Sequence, residues 1–162
     1  MPTADLREIP SMNNELFRAW YTRLGFRYHD SIEASVSRIV KLMESENELT
    51  KELYIGGFSQ GGVLALMCGL SRSSVKVKAI FSYSGYPFPM NIQTEYKDIP
   101  VLVYHGLKDL IVPWDKAFLS YQNNLAGVKY DLQIEPECAH EIPNEGFVFA
   151  KKWLGLKGLG GC

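Results

Sequence analysis

Ser59 sits inside Gly56-Gly57-Phe58-Ser59-Gln60-Gly61-Gly62, with glycines on both sides. The apolar residues Leu53, Tyr54 and Ile55 lead into the stretch, and Val63, Leu64, Ala65 and Leu66 lead out at helical spacing. G-x-S-x-G between a strand and a helix is the pattern of a nucleophile elbow. A serine on so tight a turn adopts strained dihedrals only where its neighbours carry no bulky side chain. The turn lifts the hydroxyl off the sheet and leaves the helix N-terminus behind it, where free amides favour developing negative charge. The plainer alternative is a glycine-rich turn whose serine caps the helix. The flanking strand and helix favour Ser59 as a nucleophile.

A serine hydroxyl reacts only when a base takes its proton and a third group orients that base. On elbows of this kind the partners follow in chain order, an acid and then a histidine. Downstream stand His105, closing an apolar run, and His140, in a loop after another. Only His140 has a carboxylate ahead of it at a strand end, Asp109 in His105-Gly106-Leu107-Lys108-Asp109. His105 reads as a turn-structuring residue whose ring bonds nearby backbone. Asp115 reads as a first-turn helix residue, Asp131 lies inside a strand, Glu135 ends one, and Glu137 is too near His140 in sequence. Cys138 with His140 is a second nucleophile-base pairing, but no elbow exposes that thiol.

The elements that must position these groups alternate. Strands are expected at 53–56, 79–83, 101–105 and 130–134, and helices at 61–70, 114–125 and 145–154. An earlier helix, capped by Asp30 or Ser31, carries Ile32, Val36, Ile39, Val40 and Met43 on one face. Alternation of this kind argues for a mostly parallel α/β sheet with helices on both faces. Such sheets bind ligands beyond the carboxyl ends of their strands, where Ser59, Asp109 and His140 fall. Residues 1–10 read as an extended entry segment, and the aromatic residues Phe17, Trp20, Tyr21, Phe26 and Tyr28 as core packing or the rim of an apolar site. His29 reads as a surface residue, and 86–97, with Pro87 and Pro89, as a pocket rim. The glycine-rich residues 156–162 read as a flexible tail after a single domain at 1–155, with Cys162 unmodified.

With 162 residues and 46% hydrophobic composition, the chain is long enough for one core. A net charge of -1 and a pI near 6.3 give no support for a nucleic-acid partner. Three cysteines lack metal-ligand spacing and suit a reducing compartment. No apolar run reaches the length of a membrane span. The expectation is a soluble, cytoplasmic chain.

These residues resemble a known group, the acyl-protein thioesterase, lysophospholipase and carboxylesterase family of small α/β-hydrolases. The likeness rests on the elbow, on His105-Gly106-Leu107-Lys108-Asp109 with Ile111-Val112-Pro113, on Ala139-His140-Glu141-Ile142, and on Pro2-Thr3-Ala4, Arg7 and Ala19-Trp20-Tyr21. The resemblance implies Ser59 as nucleophile, His140 as base, Asp109 as orienting acid and the Gln60 backbone N–H as an oxyanion donor. It implies thioester or ester substrates, among them S-acylated proteins and lysophospholipids, transient contact with a membrane surface, and no metal or organic cofactor. Phe58, Ile111, Val112, Trp20 and Phe88 are the acyl-channel residues it suggests. Family members begin with further strands and a His-Gly-x-Gly-type loop that supplies a second oxyanion donor. The similarity here starts after that region, so an N-terminally shortened domain with an uncovered sheet edge is expected. A catalytically impaired form that binds acyl groups or partners is the alternative reading.

Overall fold

A computed structural model of the chain describes residues 2–24, 27–28, 31–50 and 52–159. Phe26, His29, Asp30 and the tail at 160–162 lie outside the described residues, and with them the readings made of those positions. The N-terminal part holds two short antiparallel hairpins, β1 (Leu6–Ile9) with β2 (Glu15–Arg18) and β3 (Arg23–Leu24) with β4 (Arg27–Tyr28). Helix α1 (Ser31–Leu49) follows, then β5 (Tyr54–Phe58), α2 (Gln60–Met67), β6 (Ala79–Tyr83), β7 (Val101–Gly106), α3 (Trp114–Asn124), β8 (Tyr130–Glu135) and α4 (Asn144–Leu156).

Strands β5 to β8 form one parallel sheet in simple sequence order. Its centre is apolar on both faces, as a helix-covered parallel sheet requires. Every residue of β7 is buried, and alternation sorts its side chains. Val101 and Val103, with Ile80 of β6, face α1, α2 and α3 in the larger core cluster. Leu102 and Tyr104, with Ala79 and Tyr83, face Ala150 and Trp153 of α4. Helix α2 is buried on all sides from Gly62 to Met67, so it depends on burial rather than on an amphipathic face. Truncating a core residue such as Leu66, which is fully buried, to alanine costs about 2–5 kcal/mol.

Beyond Met67 the helix widens into a π turn, Cys68–Arg72, closed by Ser73 N–H donating to Cys68 O at 3.2 Å. Gly69 lies in that turn where a Cβ would stand 2.5 Å from Ile80. Within the expected entry segment, Leu6–Ile9 is a strand that pairs with Glu15–Arg18 across a turn with Asn13 and Asn14 at positive φ. The glycine-rich end is also more structured than expected as far as Leu159. Gly158 takes φ +68, and Leu159 N–H donates to Leu154 O in a helix-ending Schellman turn. Tyr54 then donates to Leu159 O at 2.9 Å. Among the described residues, the outer edge of β5 pairs with no strand.

Candidate active site

Ser59 joins β5 to α2 at φ 53 and ψ -119, a conformation that side chains rarely adopt. Contacts around it impose that strain. Ser59 N–H donates to Tyr83 O at 2.8 Å, and Ser59 O accepts from Gly62 N–H at 3.0 Å. A Cβ on Gly57 would stand 2.2 Å from the Gly61 backbone, and one on Gly62 would stand 2.9 Å from Ser82 Oγ. Gly61 itself has room, with its nearest neighbour, Trp20 Nε1, at 3.7 Å. Gly57 and Gly62 are thus required sterically, and Gly61 is not.

His140 arrives on the loop between β8 and α4. Ser59 Oγ lies 3.0 Å from His140 Nε2, and His140 Nδ1–H donates to Asp109 Oδ2 at 2.7 Å. That bond fixes the tautomer and leaves Nε2 free to accept the serine proton. Asp109 is buried, and its other oxygen accepts Ile111 N–H at 3.0 Å and Val112 N–H at 2.7 Å. Two backbone donors hold the carboxylate in one orientation.

The acid and histidine loops are locked to each other. A Cβ on Gly106 would stand 2.2 Å from Cys138 O, and the same carbonyl accepts Lys108 N–H at 3.0 Å. Lys108 also pairs with Glu137 across the two loops. His105 supports the acid loop from behind, with Nε2–H donating to Val112 O at 2.8 Å and its ring 5.3 Å from Trp114. Burial holds its pKa below the ordinary histidine value. Cys138 is also buried, its thiol faces the Ala139 and Glu141 carbonyls, and burial raises its pKa. Such a thiol is a poor nucleophile.

Gln60 opens α2, so its backbone N–H has no acceptor within the helix. Its side chain is engaged elsewhere, accepting Trp20 N–H at 2.8 Å and donating to Tyr21 O at 3.0 Å. A cavity of about 150 Å³ adjoins Ser59, lined by Tyr21, Gln60, Val63, Ser84, Tyr86, Ile111 and Val112. Tyr86, Ile111 and Val112 are shared with a second cavity of about 430 Å³, which continues past Pro87, Phe88 and Leu119. Helix α3 holds the far wall, with Asn124 Nδ2 donating to Pro87 O at 2.9 Å.

Three of the five suggested channel residues, Ile111, Val112 and Phe88, thus come together. Phe58 and Trp20 do not join them. Strand alternation sends Phe58 toward the α4 face, where its ring centroid lies 4.6 Å from the His140 imidazole. Trp20 stands under the Arg38 guanidinium, beside an apolar groove of about 410 Å³ that runs along β5. Tyr21, from the aromatics read as core or an apolar rim, and Tyr86, from the expected pocket rim, line the wall beside Ser59, whereas the contribution of Ser84 went unread in the sequence. No group of three or more potential metal ligands occurs among the described residues.

A sequence model of the phospholipase/carboxylesterase family matches residues 2–157. The chain belongs to that family. Acyl-protein thioesterase 1 homolog 2 of Dictyostelium discoideum is 35% identical over 106 residues, or 60% of this chain and 47% of that protein. Acyl-protein thioesterase 1 of Schizosaccharomyces pombe is 28% identical over 94% of this chain and 74% of that protein. The match thus spans about half the length of the Dictyostelium relative. Among solved structures, Arabidopsis thaliana SOBER1 superposes with a TM-score of 0.84 at 22% identity, covering 96% of this chain and 81% of that one. Zea mays acyl-protein thioesterase 2 gives 0.78 at 20% identity, covering 99% and 80%. These likenesses establish the α/β-hydrolase fold of the phospholipase/carboxylesterase family for this chain. No described helix is long and apolar enough to cross a membrane.

Proposed function

We propose that the chain is a serine hydrolase that cleaves acyl thioesters or carboxylic esters through an acyl-enzyme on Ser59. The observation that carries this reading is the hydrogen-bonded series from Ser59 Oγ to His140 Nε2 at 3.0 Å and from His140 Nδ1 to Asp109 Oδ2 at 2.7 Å. Ser59 Oγ attacks the acyl carbonyl as His140 Nε2 takes its proton, and Asp109 stabilises the imidazolium. Negative charge on the former carbonyl oxygen develops toward the Gln60 N–H at the start of α2. Collapse expels the thiol or alcohol with a proton from His140. Water, deprotonated by the same nitrogen, then releases the acid and restores Ser59.

The acyl chain runs from the small cavity at Ser59 into the larger apolar one, along Tyr86, Ile111, Val112 and Phe88. S-acylated protein cysteines and lysophospholipids carry chains suited to such a path, and the names of the thioesterase relatives support the first of these. No metal or organic cofactor takes part in these steps. A fluorophosphonate probe tests the reading, because it reacts with an activated serine. Stoichiometric mass gain in the native chain, absent from Ser59→Ala, is the expected result. Folded protein that gains no mass would overturn the hydrolase reading and favour an acyl-binding role.

A further inference from the structure

Ser84 lies beside Ser59 on the same cavity, and the steps above give its hydroxyl no task. It follows β6 at φ 47, in the left-handed region that a non-glycine residue rarely occupies. It is fully buried, and its hydroxyl finds no hydrogen-bond partner among the described residues. A strained backbone and an unmatched buried hydroxyl are each costly, and together they mark a position held for function rather than for folding.

The surroundings hold this corner in place. Ser84 N–H donates to Tyr104 O at 2.9 Å, and the residue before it, Tyr83, accepts the Ser59 N–H. Tyr121 Oη donates to Gly85 O at 3.1 Å and lies 2.9 Å from Ser82 Oγ, on either side of Ser84. A Cβ on Gly85 would stand 3.3 Å from Ser59 O, so the residue that follows Ser84 is packed directly against the elbow. Ser84 also lines the 150 Å³ cavity that Ser59 and Gln60 line. That space admits a carbonyl and the first atoms of an acyl chain. Tyr21, Val63, Ile111 and Val112 make its wall largely apolar, and the Gln60 side chain is spent on residues 20 and 21.

We propose that the Ser84 hydroxyl is a catalytic oxyanion donor, placing its hydrogen on the tetrahedral oxygen together with the Gln60 backbone N–H. This inference rests on the hydrolase reading of Ser59. A preorganised donor in a site closed to water stabilises developing charge without reorganising. It acts in both tetrahedral states, so acylation and deacylation depend on it alike.

The test compares Ser84→Ala and Ser84→Gly with the native chain on p-nitrophenyl butyrate, with rapid mixing to resolve the first turnover. Glycine accepts positive φ freely, so Ser84→Gly removes the hydroxyl while relieving the backbone. Both variants are expected to lose about 10- to 100-fold in kcat with KM changed less than about 3-fold, and to show no new burst. Complete labelling by the fluorophosphonate, at a reduced rate, will show that the triad is intact. Activity of Ser84→Gly within about 2-fold of native would overturn the proposal, because a purely backbone role predicts it. A new burst would also overturn it, since only deacylation would then be slowed. A native chain with neither labelling nor turnover would instead defeat the hydrolase reading itself.

Discussion

The loops at the carboxyl ends of β5, β7 and β8 and the hairpins that precede α1 are held in opposite ways. The loops that carry Ser59, Asp109 and His140 lie backbone against backbone. Gly57 touches Gly61, Gly106 touches Cys138, and two amides grip Asp109. The first hairpin has mostly exposed strands and is tied down by side-chain arms. Arg7 Nε donates to Ala19 O at 2.9 Å, and Arg18 Nη1 donates to Ala4 O at 3.0 Å. Backbone contacts cannot stretch, whereas a guanidinium arm can shift or be replaced by water. The difference teaches where this chain tolerates change.

Substituting the acid should have the largest effect. Asp109→Asn keeps the loop's shape but removes the charge and the tautomer control, so ester turnover should fall by about 10³–10⁴-fold with little change in thermal midpoint. A loss below about 10-fold would separate Asp109 from the chemistry. Next come the glycines. Gly57→Ala and Gly106→Ala force backbone apart and should cost about 1–3 kcal/mol or more in urea unfolding, whereas Gly61→Ala should be near neutral. Equal destabilisation at Gly57 and Gly61 would contradict the steric account of the elbow.

A smaller effect concerns His105. Its pKa is lowered in the folded chain by burial, while in the unfolded chain it titrates near about 6.5. The unfolded state therefore binds the proton first as pH falls, so the contribution is whole above about pH 6.5 and is lost below it. Urea midpoints should drop between about pH 7.5 and 5.5, and His105→Gln should show a shallower drop from a lower starting value. The smallest effect should be at the hairpin. Arg18→Ala should cost about 0.5–1.5 kcal/mol at most and leave ester turnover unchanged. A large activity loss there would mean that the hairpin governs the site.

The sheet and the grouping of Ser59, Asp109 and His140 were legible because each depends on local chemistry. Apolar runs ending in glycine mark β5 and β7, and the order Ser59, Asp109, His140 follows from the strand ends that carry them. The first hairpin was not, because Leu6, Leu16 and Phe17 are exposed and leave no buried alternation to read. The consecutive Asn13 and Asn14 at positive φ were its one local sign. The division of the apolar walls was legible in part, since Ile111, Val112, Phe88 and the rim at 86–97 were expected at the cavity, whereas Phe58 and Trp20 lie elsewhere. Strand parity sends Phe58 toward His140, and the bend at Ser84 and Gly85 brings Tyr86 and Phe88 to the cavity. Both depend on how distant segments pack. Ser84 could not be singled out from sequence, because its hydroxyl is notable only for lacking a partner once buried.

The central claim is that Ser59 is an activated nucleophile feeding an apolar acyl path. Turnover of p-nitrophenyl esters of increasing chain length, by the native chain and by Ser59→Ala, tests it most directly. The account predicts turnover that rises with chain length until the cavity is filled and that falls by about 10⁴-fold or more in Ser59→Ala. Equal turnover by both proteins, or none in a well-folded native sample, would contradict it.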